Sequence, residues 1–250
     1  MTQRDETRGR ARARRHDRGH MALAAALRAR LDARAVCADD DDHARAGSRS
    51  RAAVLVPVVE RRADARHEVI LCVRDAGMRA HAGEVALPGG KRDDGDVDDV
   101  ATALREAEEE IGLGEGDVEV CGRLPVILSR FNVSVRPVVG VVRETFEVDP
   151  AKISRDEVAE VFTAPLEMFL EAKNHRYDDW AWPKAERAIR VHYFDYRGLT
   201  IWGLTAMILI EVARRVYQRE PEFAVATEDG VSVWDVKVRD GKPVVIKSSL

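Results

Sequence analysis

Between Gly89 and Leu113 the chain reads GGKRDDGDVDDVATALREAEEEIGL, and no other stretch restricts its folding as much. Asp98 to Ile111 is helical in composition, and Gly112 suits the position just past a helix end. Glu106, Glu109 and Glu110 stand at i, i+3 and i+4 on this helix, so their carboxylates share one face. From Asp93 to Glu110 there are nine acids and one base, a local net charge of −8. Like charges at helical spacing destabilise a helix by roughly 0.2–0.5 kcal/mol per pair, and a divalent cation removes that repulsion. Hard oxygen donors of this kind suit Mg²⁺ or Mn²⁺. Arg105, four residues before Glu109, is placed to hold a carboxylate, whereas Glu108 points off the shared face. A merely solvated acidic face is the competing reading. Against it stand the preceding Gly-Gly turn, the apolar face of Ala103, Leu104, Ala107 and Ile111, and the glycine stop.

Charge is uneven elsewhere too. The 250 residues carry a net −4, yet residues 1–36 hold ten Arg and four acids. The acidic remainder is a poor candidate for wrapping nucleic acid, and the Arg-rich start lacks the aromatic interleaving of a single-strand binder. Cys37, Cys72 and Cys121 form no C-x-x-C pair, which argues against a disulfide framework or a structural zinc site. The longest apolar run, Leu199 to Ile210, is short of the ~20 residues that cross a bilayer. No membrane segment is expected.

Helical leucine spacing at Leu23, Leu27 and Leu31 predicts a leading helix. The acids Asp39 to Asp42, with His43 beside them, and Ala44 to Arg51 read as a hydrated linker. Strands are expected at Ala52–Val59, Glu68–Arg74, Gly83–Leu87, Val118–Leu124, Val133–Val142, Val158–Phe162 and Arg190–Tyr196. Pro165 to Ala172 reads as a short helix and Leu199 to Tyr217 as a long one. Val231–Val238 and Pro243–Ile246 flank Asp240-Gly241 as a hairpin. The mixture places the chain in the α/β (α+β) class.

The run Arg105-Glu106-Ala107-Glu108-Glu109-Glu110-Ile111-Gly112-Leu113 resembles the R-E-U-x-E-E-x-G-U end of the Nudix box at all seven fixed or class-restricted positions. The resemblance implies an α/β/α sandwich with a mixed sheet and hydrolysis of a pyrophosphate bond in a nucleoside diphosphate derivative. It also implies that Glu106, Glu109 and Glu110 bind the metal. The front of the box is one residue longer than the general pattern. Lys91 and Val97 stand where a glycine and a glutamate are usual, with Gly90 and Asp96 each one residue earlier.

That longer front is similar to the coenzyme A diphosphatase branch, whose upstream signature runs roughly L-L-T-x-T-S-x3-R-x3-G-x3-F-P-G-G. Ile70-Leu71-Cys72-Val73-Arg74-Asp75, Arg79, Gly83 and Leu87-Pro88-Gly89-Gly90 keep its spacing, while Cys72, Arg74, Asp75 and Leu87 replace its polar and aromatic residues. Arg136-Pro137-Val138-Val139-Gly140 and Ile201 to Ala206 also look like this branch. The resemblance makes Glu106, Glu109, Glu110 and Arg105 the catalytic set. Arg79, Gly83, Gly89, Gly90 and Arg74 become substrate-binding positions, and Arg92 and Arg136 further candidates for phosphate, which guanidinium groups bind bidentately. Residues 1–50 are then an N-terminal extension, 51–218 the hydrolase domain and 219–250 a C-terminal extension.

The expected reaction is metal-dependent hydrolysis of coenzyme A and its derivatives to 3′,5′-ADP and 4′-phosphopantetheine. The general base is left open between a box glutamate and a loop acid such as Glu157. Hydrolysis of NADH, ADP-ribose or a nucleoside diphosphate sugar is the enzymatic alternative, and a non-catalytic Nudix-fold binding module is the other. The partner is a small molecule, with no nucleic acid or membrane, and a homodimer is left open. A cytoplasmic location is expected. The alternatives are a mitochondrial one, from the Arg/Ala-rich start, and a peroxisomal one, from the end Ser248-Ser249-Leu250, close to S-K-L.

Overall fold

The computed structural model describes residues 21–31, 43, 50–61, 66–181, 188–232, 234, 236–239 and 242–245. Both terminal targeting readings fall on residues outside this set, as do Asp39 to Asp42. The strands are β1 (Ser50–Arg61), β2 (Arg66–Arg74), β3 (Val85–Ala86), β4 (Gly89–Lys91), β5 (Val118–Arg123), β6 (Ile127–Leu128), β7 (Val133–Val142), β8 (Val158–Pro165), β9 (His175–Ala181), β10 (Ala188–Tyr196), β11 (Leu199–Trp202), β12 (Val236–Arg239) and β13 (Lys242–Val245).

A mixed sheet runs in the order β3-β2-β1-β7-β5, with β4 also on β1, β6 on β7 and β8 on β2. Its centre is the parallel pair β1 and β7, in register from Ser50↔Val133 to Val59↔Val142. Both strands are almost continuously apolar, as strands covered on two faces should be. Alternate residues serve opposite layers. Ala53, Leu55 and Val59 of β1, with Ile70 and Cys72 of β2, pack on the helix Asp99–Ile111, here the carboxylate helix. Val56 and Val58, with Val69 and Leu71, face the other core. That second core holds the long helix Gly203–Tyr217 and a leading helix over residues 21–31. The α/β/α layering is therefore present.

The leading helix follows its leucines. Leu23, Leu27 and Leu31 are buried in the same core as the sheet. Arg30 Nη1 donates to the Val216 carbonyl at 2.6 Å, and Arg215 Nη1 returns a bond to the Arg30 carbonyl at 2.9 Å, joining this helix to the end of the long one.

Several elements differ from expectation. Gly83–Leu87 supplies only the two-residue β3, and Gly89-Gly90 is strand β4 rather than a turn. The long helix does not begin at Leu199. Arg197 and Gly198, at φ 52° and 78°, form a two-residue turn that folds Leu199–Trp202 back on β10 as β11. Pro165–Ala172 is a 3₁₀ turn over Leu166–Leu170. Strand β9 had no sequence signal, because HRYDDWA is polar and mostly exposed. The final hairpin forms between Val236–Arg239 and Lys242–Val245, its first arm shorter than expected and its second displaced by one residue. Among the described residues no helix is long and apolar enough to cross a membrane.

The leading helix generates the first prediction. Leu27 is fully buried, so Leu27→Ala is expected to lower stability in urea denaturation by about 2–5 kcal/mol.

Candidate active site

The carboxylate helix is bounded at both ends by its own side chains and backbone. Asp98 Oδ1 accepts the Ala101 amide at 2.8 Å as an N-cap. Gly112, at φ 69°, closes the other end through bonds to the Ala107 and Glu108 carbonyls. Ala103 and Ala107 are fully buried, and such small side chains let the helix lie close to β1 and β4. The consequence appears at the two glycines of β4. A Cβ on Gly90 would stand 2.5 Å from the Glu106 carboxylate, and one on Gly89, at φ 152°, would stand 2.4 Å from the Ala53 carbonyl oxygen. Any larger residue at either position displaces the carboxylate face or β1.

Glu110 is 2% exposed. Gly89 N–H donates to its Oε2 at 3.0 Å, and Arg74 Nη1 stands 3.5 Å from its Oε1. Burial pushes its pKa up to about 7; the Gly89 amide and Arg74 oppose the rise, while Glu106 and Glu157 add to it. Glu106 is also raised, by burial first, against the pull of Arg105 and with the push of Glu109 and Glu157. Glu109 sits at the rim, its side chain 60% exposed and 3.1 Å from Arg105 Nη1. Glu157 lies in a turn that joins the elements around these groups: its carbonyl accepts from Asp75, its amide donates to Ser154, and Ser154 N–H donates to the Glu110 carbonyl. Glu106, Glu110 and Glu157 thus act on one another, with Glu109 beside them.

Arg105 organises the face. Its Nη2 lies 3.1 Å from Glu106 Oε1, and it also holds Glu109. Its tightest attachment is to Asp96, through Nε at 2.9 Å and Nη2 at 3.0 Å. Asp96 further accepts the Thr102 hydroxyl and the Asp93 amide. The Arg105 hydrogen bonds, opposed by some desolvation, hold the Asp96 carboxyl well below the usual carboxylate range. Asp96 was not among the expected site residues. Its signal was the extra residue in the front of the box, which moves the acid one place earlier while the pairing with arginine survives.

The arginines divide. Arg74 lies against Glu110, and Arg79 is exposed in the loop after β2. That loop is closed at its base by Gly83 N–H to the Arg74 carbonyl at 3.1 Å and Arg74 N–H to the Glu84 carbonyl at 3.0 Å. Gly83 takes φ 71°, which favours glycine. Arg92 binds the Asp96 and Val97 carbonyls, within the loop before the helix. Arg136 departs from the phosphate-binding expectation. It is 1% exposed and bound to Asp99 and the Leu124 carbonyl beneath the helix. His43 departs further, being fully buried against Asp99 rather than hydrated.

Among the described residues no three His, Cys, Asp or Glu side chains converge as a preformed metal cluster. Arg105 and the Gly89 amide hold the glutamates individually. The donor set nevertheless fits a hard divalent cation. It offers oxygen donors only, with Glu110 buried and Glu106 half-buried, and both raised in pKa by burial and by neighbouring carboxylates.

Two predictions follow from these charges. Asp96→Asn is expected to cost about 2 kcal/mol of stability at neutral pH, by loss of charge-assisted bonds to Arg105. Because the folded pKa of Asp96 is depressed, the wild-type advantage is full above the unfolded value near ~4 and fades as pH falls below it; urea denaturation at pH 7 and pH 3 checks both. Glu110 has the opposite sign. Its folded pKa of about 7 exceeds the unfolded value of ~4.3, so its stabilising proton is retained below pH 4 and lost as pH rises through 7. Metal-free Glu110→Gln is expected to match wild type at ~pH 4 and exceed its stability by about 1–3 kcal/mol at ~pH 8, as urea denaturation at the two pH values checks.

A family model for the NUDIX domain matches residues 49–185. The chain is 45% identical over 177 residues to Nudix hydrolase 15, mitochondrial, of Arabidopsis thaliana, covering 69% of this chain and 61% of that one. It is 39% identical over 170 residues to the uncharacterized Nudix hydrolase NudL of Citrobacter koseri, covering 68% of this chain and 84% of that one. A MutT/nudix family protein from Enterococcus faecalis superposes with a TM-score of 0.42 at 18% identity, over 69% of this chain and 65% of that one. The matched segment thus spans about three-fifths of the plant relative's length. With the matched segment containing the capped carboxylate helix, Arg105 and all three glutamates, the chain belongs to the Nudix family.

Proposed function

We propose that the chain is a coenzyme A diphosphatase, hydrolysing the diphosphate bond of coenzyme A and its derivatives to 3′,5′-ADP and 4′-phosphopantetheine. The observation that carries this reading is the continuity between the loop after β2 and the carboxylate face. Arg74 at the base of that loop touches Glu110, and the same loop bears Arg79 and Gly83 at the branch's spacing.

Glu106, Glu109 and Glu110 would hold Mg²⁺ or Mn²⁺, which when bound supplies the positive charge that polarises a diphosphate and acidifies water. Arg74 and Arg79 bind phosphate oxygens, compensating the charge that an acidic face would otherwise repel. Gly89 and Gly90 leave room for the Glu106 carboxylate and for β1, so the glutamates lie directly against the strand that the diphosphate would approach. Arg105, fixed by Asp96, sets the orientations of Glu106 and Glu109. Glu157 is the loop acid that can accept the proton of the attacking water as the bridging P–O bond breaks.

The test is turnover of coenzyme A, acetyl-coenzyme A, NADH and ADP-ribose, side by side with Mg²⁺ and with Mn²⁺. Coenzyme A and its acetyl ester are expected to give the highest kcat/KM, with 3′,5′-ADP released and activity abolished by a chelator. Glu109→Gln is expected to lose at least ~100-fold in kcat with its fold intact. Faster turnover of NADH or ADP-ribose than of coenzyme A contradicts the substrate reading.

A further inference from the structure

We infer that His43 is a positioning residue for the carboxylate helix, acting through Asp99 from outside the segment that matches the family model. The inference rests on the reading that Glu106, Glu109 and Glu110 hold a divalent cation. His43 and Asp99 are both fully buried. His43 Nε2 lies 2.9 Å and 3.1 Å from the two Asp99 carboxylate oxygens. Its Nδ1 lies 2.7 Å from Ser134 Oγ, and that hydroxyl donates to the Ser50 carbonyl at 3.1 Å. The ring thus bridges Asp99, to which Nε2 donates, and the Ser134 hydroxyl at the start of β7. Arg136 Nε completes the cluster at 3.1 Å from Asp99 Oδ2. Burial alone would raise the Asp99 carboxyl; His43 and Arg136 outweigh it and keep the group below the usual range.

The cluster's place on the helix gives it its role. Asp99 precedes Glu106 by seven residues and Glu110 by eleven. At 3.6 residues per turn all three lie within about 20° of one line along the helix, separated by about 10 Å and 16 Å. The rest of the buried face beneath them is largely methyl groups, Ala103 and Ala107, which fill space but resist rotation weakly. The Asp96 bonds to Thr102 and Arg105 arise from the helix's own leading loop and move with it. Asp99 is therefore where the helix is tied by charge to the starts of β1 and β7, and His43 is the tie supplied by the N-terminal extension. A rotation of about 20° would carry a carboxylate ~5–6 Å from the axis through about 2 Å, enough to spoil a catalytic geometry by ~100-fold or more.

The test compares wild type, His43→Ala, His43→Gln and Leu27→Ala in the full-length chain. Mn²⁺ affinity is measured by titration calorimetry, beside kcat, KM and thermal unfolding. His43→Ala is expected to weaken Mn²⁺ binding and to lower kcat by at least 10-fold each, with KM changed less than kcat. His43→Gln, which keeps a donor toward Asp99, is expected to recover most of the loss. Leu27→Ala removes a comparable share of core packing remote from this cluster, and is expected to lower the Tm while leaving Mn²⁺ affinity within about 3-fold of wild type. If His43→Ala does not fold at 25 °C, His43→Asn, too short to bridge Ser134 and Asp99 together, takes its place with the same expected loss. Wild-type Mn²⁺ affinity and kcat in the folded His43 variant, or an equal loss of affinity in Leu27→Ala, overturns the inference alone. Absence of Mn²⁺ binding in the wild type overturns the metal reading and the inference with it.

Discussion

The buried attachment of Asp99 to Arg136 and His43 is the contact on which the geometry of the carboxylate face depends. A helix carrying three near-neighbour glutamates on one side gains nothing from their mutual repulsion, and its alanine face buries little area. What offsets this is a charged anchor in the first turn and apolar Ile111 in the last. Burying a carboxylate is costly unless paired, and losing one partner of such a cluster costs about 3–5 kcal/mol. The helix is therefore fixed at its N-terminal end by charge and along its length by close approach. Only because of that approach do Gly89 and Gly90 meet Glu110 and Glu106 directly.

The electrostatics at the other end of the helix are arranged differently. Arg105 contacts Asp96, Glu106 and Glu109, and Asp96 takes the largest share. An arginine held by a dedicated aspartate can steady two glutamates without fully neutralising them. Glu110 has instead the Gly89 amide and a longer contact to Arg74, and its raised pKa follows from that weaker compensation together with burial. The face is thus under-neutralised around Glu110, where the proposed cation would sit, and an arginine-bearing loop begins from the same place.

The core of this arrangement was legible in the sequence because local rules govern it. Gly112 marks the helix end, the glutamate spacing sets their side of the helix, and the largely apolar character of Val133–Val142 marks a central strand. What escaped depends on partners distant in sequence. Arg136 and His43 look like surface groups until Asp99, 37 and 56 residues away, is brought against them. Leu199–Trp202 has a composition that suits the following helix, and only the left-handed turn at Arg197 and Gly198 makes it a strand. Strand β9 is polar because its side chains are mostly exposed, so its pairing with β10 left no periodic trace. Asp96 was visible as the nearest acid, but its pairing with Arg105 required the loop to close.

In the reading proposed above, the face formed by Glu106, Glu109 and Glu110 is a cation site poised by Arg105. Its most direct test is anomalous diffraction from crystals of the protein grown with Mn²⁺. A peak is expected within coordination distance of Glu106 and Glu110, with the Arg105–Glu106 contact opened relative to the metal-free arrangement. A Mn²⁺ peak elsewhere in the molecule, with Arg105 still closed on both glutamates, would contradict it.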